Sequence, residues 1–159
     1  MSCQESLNAS TSDESRLDEV VAFVAEEGFF ASVEPVGDAE WNALCVGHDT
    51  WLESHVRFHG PVGGALRCRL PLTLARELVS AFLGMSVGEL APSDPLVEDL
   101  TGELANMLCG RWLTRNQLGQ VFDLEHPVVG AAPEGDCAEW RRYAANGVPL
   151  AVELTFEAQ

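Results

Sequence analysis

The sequence predicts an α+β domain: a mainly antiparallel sheet with packed helices. Three observations predict it. Two runs, 51–58 and 65–70, alternate apolar and polar residues on either side of the link His59-Gly60-Pro61-Val62-Gly63-Gly64, as the arms of a hairpin do. A third run, 148–156, sets Leu150, Val152, Leu154 and Phe156 against Ala151, Glu153 and Thr155. Between and before these lie stretches whose apolar residues recur at helical spacing. The 159 residues are 47% hydrophobic and 21% charged, enough for one domain around one core.

In chain order, residues 1–14 are polar and acidic and are expected to form a disordered tail, with a single domain over 15–159. Leu17, Val20, Val21 and Val24, then Phe29 or Phe30, predict a first helix over 15–28, stopped by Gly28. Residues 41–46 have strand composition. In the hairpin, Leu52, Ser54, Val56 and Phe58 share one face of the first arm, and Leu66, Cys68 and Leu70 one face of the second. Pro71 opens a second helix over 72–83 with Leu74, Leu78, Ala81 and Phe82 inward and Gly84 as its stop. A connector with two prolines leads to a third helix, about 96–114, whose apolar stripe reads Leu96, Leu100, Leu104, Met107, Leu108 and Trp112. Residues 121–130 read as a strand interrupted near its end by Pro127, and 131–145 as a polar excursion with no clear period. Helix 15–28 and helix 96–114 each lead into strands, so two weakly similar halves are expected.

The formal net charge is −16, and all nine basic residues are arginine. Schiff-base or phosphate-loop lysine chemistry is thereby excluded. Nucleic acid and anionic membrane are poor partners for so negative a field. No apolar run reaches 18 residues, and the N-terminus lacks the basic start and apolar core of a signal peptide, so a cytoplasmic protein is expected. Five cysteines without a CxxC pair fit a reducing compartment. The four histidines lack metal-ligand spacing, no metal site is expected, and no G-x-S-x-G elbow is present.

The chemistry concentrates on helix 96–114. Opposite its apolar stripe lie Asp99, Gly102, Glu103, Asn106 and Gly110, separated by steps of three and four and therefore on one side of the helix. The two glycines weaken a helix by about 1 kcal/mol each relative to alanine, which a close approach of another surface would explain; Gly110 also fits simple helix packing. By itself Glu-x-x-Asn is compatible with an ordinary solvated helix face. The same spacing recurs at Glu5 and Asn8, where nothing suggests function.

The stretch from Val56 to Pro71, then Ala75 and Phe82-Leu83-Gly84, resembles the CheC/CheX chemotaxis phosphatase family, with its strand, glycine-containing turn, strand ending in Leu-Pro, and helix closing on glycine. The run from Asp99 to Met107 resembles the family's active-site helix, in which Asp or Ser is followed after three residues by Glu and after two more by Asn. Pro127-Val128-Val129-Gly130 resembles the proline-containing strand beyond it. This likeness spans roughly residues 15–157. It implies a pseudo-duplicated CheC-like fold and a homodimer. Ala22 and Ala25 follow Asp18 where Glu and Asn would stand, so the first helix should lack a site, as in the one-site CheX arrangement.

The function the resemblance implies is hydrolysis of the aspartyl phosphate on a CheY-like response-regulator receiver domain. Asn106 would orient the attacking water, and Glu103 would dock on a receiver lysine. Asp99, Gly102 and Gly110 would meet the partner. The chain itself would bind no cofactor, Mg²⁺ coming with the phosphorylated receiver. The rival reading is a non-catalytic receiver-binding adaptor or a module like those of the flagellar switch; a pure scaffold would not need the Glu103–Asn106 pair.

Overall fold

The structure is a computed structural model. It describes residues 3–91, 93–117, 119–132, 137 and 139–157, with side chains from Glu14 onward. Its elements are α1 (Cys3–Phe29), β1 (Val33–Pro35), α2 (Asp38–Cys45), β2 (Trp51–His59), β3 (Gly64–Pro71), α3 (Leu72–Leu83), a 3-10 turn at Val87–Glu89, α4 (Pro95–Asn116), β4 (Asp123–Leu124), β5 (Val128–Ala131), β6 (Arg141–Ala145) and β7 (Val148–Phe156). All described strand pairs are antiparallel. The sheet runs β1-β6-β7-β3-β2, and β4 and β5 share the outer edge of β2. The expected α+β class holds, and among the described residues no helix is long and apolar enough to cross a membrane.

The two halves interlock. Hairpin β2–β3 and hairpin β6–β7 meet along β3 and β7, while β1 of the first half pairs with β6 of the second and β5 of the second pairs with β2 of the first. The register makes the halves comparable residue by residue. Cys68 faces Val152 across the centre; Ser54 pairs with Cys68 as Arg141 pairs with Val152. Ser54 and Arg141 therefore hold equivalent places, as do Val56 and Tyr143 two residues further on.

One core lies between the sheet and α1, α3 and α4, built from Val20, Val24, Phe58, Leu66, Leu74, Leu108, Trp112, Leu150 and their neighbours. The alternation read in β2, β3 and β7 delivers Phe58, Leu66 and Leu150 to the helix-covered face. A smaller cluster on the opposite face joins Trp41 of α2 to Cys137 and Ala151.

Several expectations are corrected. The first helix, expected over 15–28, starts at Cys3 and passes Gly28 to end at Phe29; Phe30 then takes a left-handed turn at φ 56°. Met1, Ser2 and the side chains of Glu5 and Asn8 lie outside the description. Residues 41–46 belong to helix α2, not a strand. Gly37 precedes acidic Asp38 and Glu40 in its first turn, which suits the positive end of a helix, and Trp41, Leu44 and Cys45 form its inner side. In α3 the glycine stop at Gly84 (φ 68°) is as expected, but Ala81 and Phe82, in the last turn, are exposed and not inward. Phe82 still leans on Phe29, ring centroids 5.6 Å apart. The inner stripe of α4 begins with Val97 and Thr101, leaving Leu96 exposed and Leu100 half-buried. Thr101 can occupy the core because its hydroxyl donates to the Val97 carbonyl at 2.6 Å. The expected strand 121–130 is split into β4 and β5, since Pro127 has no N–H to give the ladder.

Candidate active site

Helix α4 is started by Asp94, whose carboxylate accepts the Leu96 N–H at 3.0 Å, with Pro95 in the first helical position. Its buried side is held by the core, which fixes the rotation of the opposite side. Asp99, Glu103 and Asn106 emerge there into an open groove of about 650 Å³. The opposite wall is made by Leu124, Glu125, His126, Pro127 and Val129. Glu103 is exposed and Asn106 half-buried. Among the described residues neither side chain has a hydrogen-bond or ion-pair partner within the chain. A carboxylate and a carboxamide one helical turn apart are thus both available to an incoming surface.

Gly102 sits at the floor of the groove and is buried. A Cβ there would stand 3.1 Å from Cβ of Pro127 and 3.2 Å from Cγ2 of Val129. Inside the chain this close approach is made by strand β5, and Gly102 also lines the groove. Gly110 lies a turn beyond Asn106, outside the groove lining, and a Cβ there would meet nothing within 4 Å.

The wall itself is a break in register. On β2, Phe58 pairs with Leu124 and His55 with Val128, so three steps along β2 are matched by four along the facing chain. The extra residue forms a bulge at Glu125–Pro127, the kind of distortion that re-aims side chains out of a ladder. Glu125 keeps its N–H bonded to the Arg57 carbonyl at 2.8 Å and places a carboxylate oxygen 2.7 Å from Nε2 of His59. Glu98, Glu125 and His126 are groove residues that the sequence reading missed. The available signal was a proline-interrupted strand predicted beside a functional helix. Among the described residues no three His, Cys, Asp or Glu side chains are grouped to hold a metal ion.

The corresponding face of α1 is closed. Asp18, the counterpart of Asp99, accepts two bonds from Arg141, Nε to Oδ1 at 2.8 Å and Nη2 to Oδ2 at 2.7 Å, and a third from the Tyr143 hydroxyl at 2.7 Å. The bond to Asp18 holds the Arg141 guanidinium above its ordinary pKa, while burial, then the same carboxylate, raises that of Tyr143. On β2 the equivalent places hold Ser54 and Val56, which offer no cation, so Asp99 remains turned to the groove. Ala22 and Ala25, at the positions of Glu103 and Asn106, carry no functional group.

Comparison with known proteins follows the same lines. The family model described as chemotaxis phosphatase CheX matches residues 53–144. No curated protein matches the sequence. Among solved structures, chemotaxis protein CheX from Vibrio vulnificus superimposes with a TM-score of 0.68 at 16% identity, covering 90% of this chain and 95% of that one. A putative chemotaxis protein from Desulfovibrio vulgaris Hildenborough gives 0.66 at 15%, covering 90% and 95%. The CheX of a CheX–CheY–BeF3–Mg²⁺ complex from Borrelia burgdorferi gives 0.64 at 15%, covering 91% and 97%. At such identities the structures establish a shared fold, while the family model reaches over more than half of the chain, including α4, β3 and most of β2: the chain belongs to the chemotaxis phosphatase CheX family.

Proposed function

We propose that this chain hydrolyses the aspartyl phosphate of a response-regulator receiver domain, using Asn106 and Glu103. The observation that carries the reading is the unpartnered Glu103–Asn106 pair, projecting from one rigid helix into an open groove. Hydrolysis of an acyl phosphate needs a water in line with the scissile P–O bond and compensation of charge on the phosphoryl oxygens. Asn106 suits the first task. Its carboxamide oxygen accepts from the water and orients it without acting as a strong base. Glu103 suits docking, by a charge-assisted bond to a receiver lysine. Asp99 extends the docking face along α4, and Gly110 leaves room for the partner beyond Asn106.

The Borrelia burgdorferi CheX of the same fold forms a complex with CheY, BeF3 and Mg²⁺, and we extend that pairing to this chain. Mg²⁺ then comes with the receiver and balances phosphoryl charge there; the chain's own contribution is positioning. The outer strands β1 and β5 offer edges through which two copies can pair as a homodimer. The proposed setting is the cytoplasm, where receiver domains work.

The test is phosphate loss from a panel of phosphorylated receivers. Asn106→Ala is expected to keep most binding and lose turnover by about 100-fold, the scale of a lost positioning group. Glu103→Ala weakens both binding and turnover. If both variants accelerate dephosphorylation as well as the parent, the assigned site is wrong. If the parent binds a receiver and accelerates nothing, the adaptor reading replaces this one.

A further inference from the structure

We propose that His126 is a third working residue of this groove, contacting the anionic phosphoryl site of the docked receiver from the wall opposite Glu103 and Asn106. The inference rests on the phosphatase reading above and adds to it a residue outside the family signature.

Two independent observations support it. The first is charge. The groove lining holds four carboxylates, Glu98, Asp99, Glu103 and Glu125, and His126 is its one described side chain able to carry positive charge. The pocket it must meet is itself anionic, with a phosphoryl group on an aspartate. A receiver lysine can satisfy Glu103, but the remaining carboxylates would repel the phosphoryl oxygens unless a donor faces them.

The second observation is backbone geometry. His126 lies inside the bulge at Glu125–Pro127, so it is lifted out of the β2 ladder, and its side chain is exposed. Pro127 is seated on Gly102 of α4, which fixes the distance of this wall from the helix. The carboxylate next in sequence, Glu125, is bonded to His59 at 2.7 Å on the β2 side. Glu125 is thereby occupied, and the His126 ring is left to the groove. The other ionisable groups facing it are Glu98, Asp99 and Glu103 of α4.

The test uses CheY phosphorylated by acetyl phosphate in the presence of Mg²⁺, with kcat and KM measured for the full chain. His126→Gln, which keeps a hydrogen-bonding group but no positive charge, is expected to lower kcat/KM about tenfold, the scale of a lost bond to a charged group, and mainly through KM. His126→Arg restores kcat/KM to within about threefold of the parent. His126→Glu falls below His126→Gln. Because the side chain is exposed, none of the three moves the melting temperature, which separates a contact role from a structural one. The proposal is overturned if His126→Gln matches the parent while Asn106→Ala is inactive, or if His126→Arg is no better than His126→Gln. Failure of the underlying phosphatase reading looks different: Asn106→Ala and Glu103→Ala would then be as fast as the parent.

Discussion

Gly102 of α4 lies directly beneath Pro127 of the bulged wall, with room for a hydrogen and not for a methyl group at ordinary contact distance. The groove therefore depends on one missing side chain. Gly102→Val must push β5 away from α4 or strain both, at a cost of about 2 kcal/mol. It should also reduce phosphatase activity more than it reduces stability, since the wall that moves faces Asn106. Gly110 is the contrast. A Cβ there meets nothing within 4 Å, so Gly110→Ala should stabilise the chain by about 0.5–1 kcal/mol through helix propensity. Urea unfolding of the two variants reads both signs.

The Asp18–Arg141–Tyr143 cluster ties α1 to β6 and should behave as one unit. Tyr143 is fully buried, so Asp18→Ala strands its hydroxyl, and leaves the Arg141 guanidinium to solvent and to Glu14 at 3.9 Å. A loss of about 3 kcal/mol is expected. Tyr143→Phe removes one bond and leaves Asp18 with Arg141, a loss of about 1 kcal/mol. In the double variant the losses should fall short of their sum by about 1 kcal/mol, which a double-mutant cycle in urea measures. Strict additivity would show that the three groups are not coupled.

How far the sequence disclosed this molecule depended on whether a period had room to repeat. The hairpin β2–β3 and strand β7 run for eight or nine residues each, long enough for inward Val56, Phe58, Leu66, Cys68 and Leu70 to declare themselves. α2 has eight residues, and its Trp, Cys and valine neighbourhood reads equally as strand by composition; its helical spacing becomes decisive only with the acidic first turn. β1 and β4, three and two residues long, have no period to detect. The α4 half of the groove was legible because Asp99, Glu103 and Asn106 share one helix. The other half was not, because Glu125 and His126 reach the groove through a register slip against β2, a property of two strands distant in sequence.

Alkaline pH should expose the cost of the buried acids. Burial pushes the thiols of Cys68 and Cys109 up to about 12 from an ordinary 9.0, and burial followed by the bond to Asp18 pushes the Tyr143 hydroxyl further still. These groups bind protons more tightly in the folded chain. Their contribution is complete below the unfolded values and is lost as pH rises above them toward the folded ones. Stability should thus be level with respect to these thiols up to about pH 9, then fall by about 1.4 kcal/mol per pH unit for each as pH rises toward 12. Tyr143 is the sole tyrosine, so phenolate absorbance reports it alone. That absorbance should appear together with loss of helical circular dichroism; a phenolate titrating in the intact fold near pH 10 would contradict the burial.

Restoring the Glu–Asn signature on α1 should not create a second copy of the proposed site. The counterpart of Asn106, which is half-buried at the rim of a groove, is Ala25, only 5% exposed and packed in the core. Ala25→Asn must fit a larger side chain into that packing and leave a carboxamide without water, a cost of about 2–3 kcal/mol. Val21 stands where Gly102 allows the wall to close, and Asp18 is held by Arg141 and Tyr143 where Asp99 is open. The double variant Ala22→Glu/Ala25→Asn should therefore lose stability and gain no phosphatase activity in an Asn106→Ala background. Recovery of turnover in that triple variant would mean that the signature residues alone make the site. The expected failure instead assigns the groove to what surrounds them: a glycine beneath a proline, and Ser54 and Val56 on β2 in place of the arginine and tyrosine that capture the acid of α1.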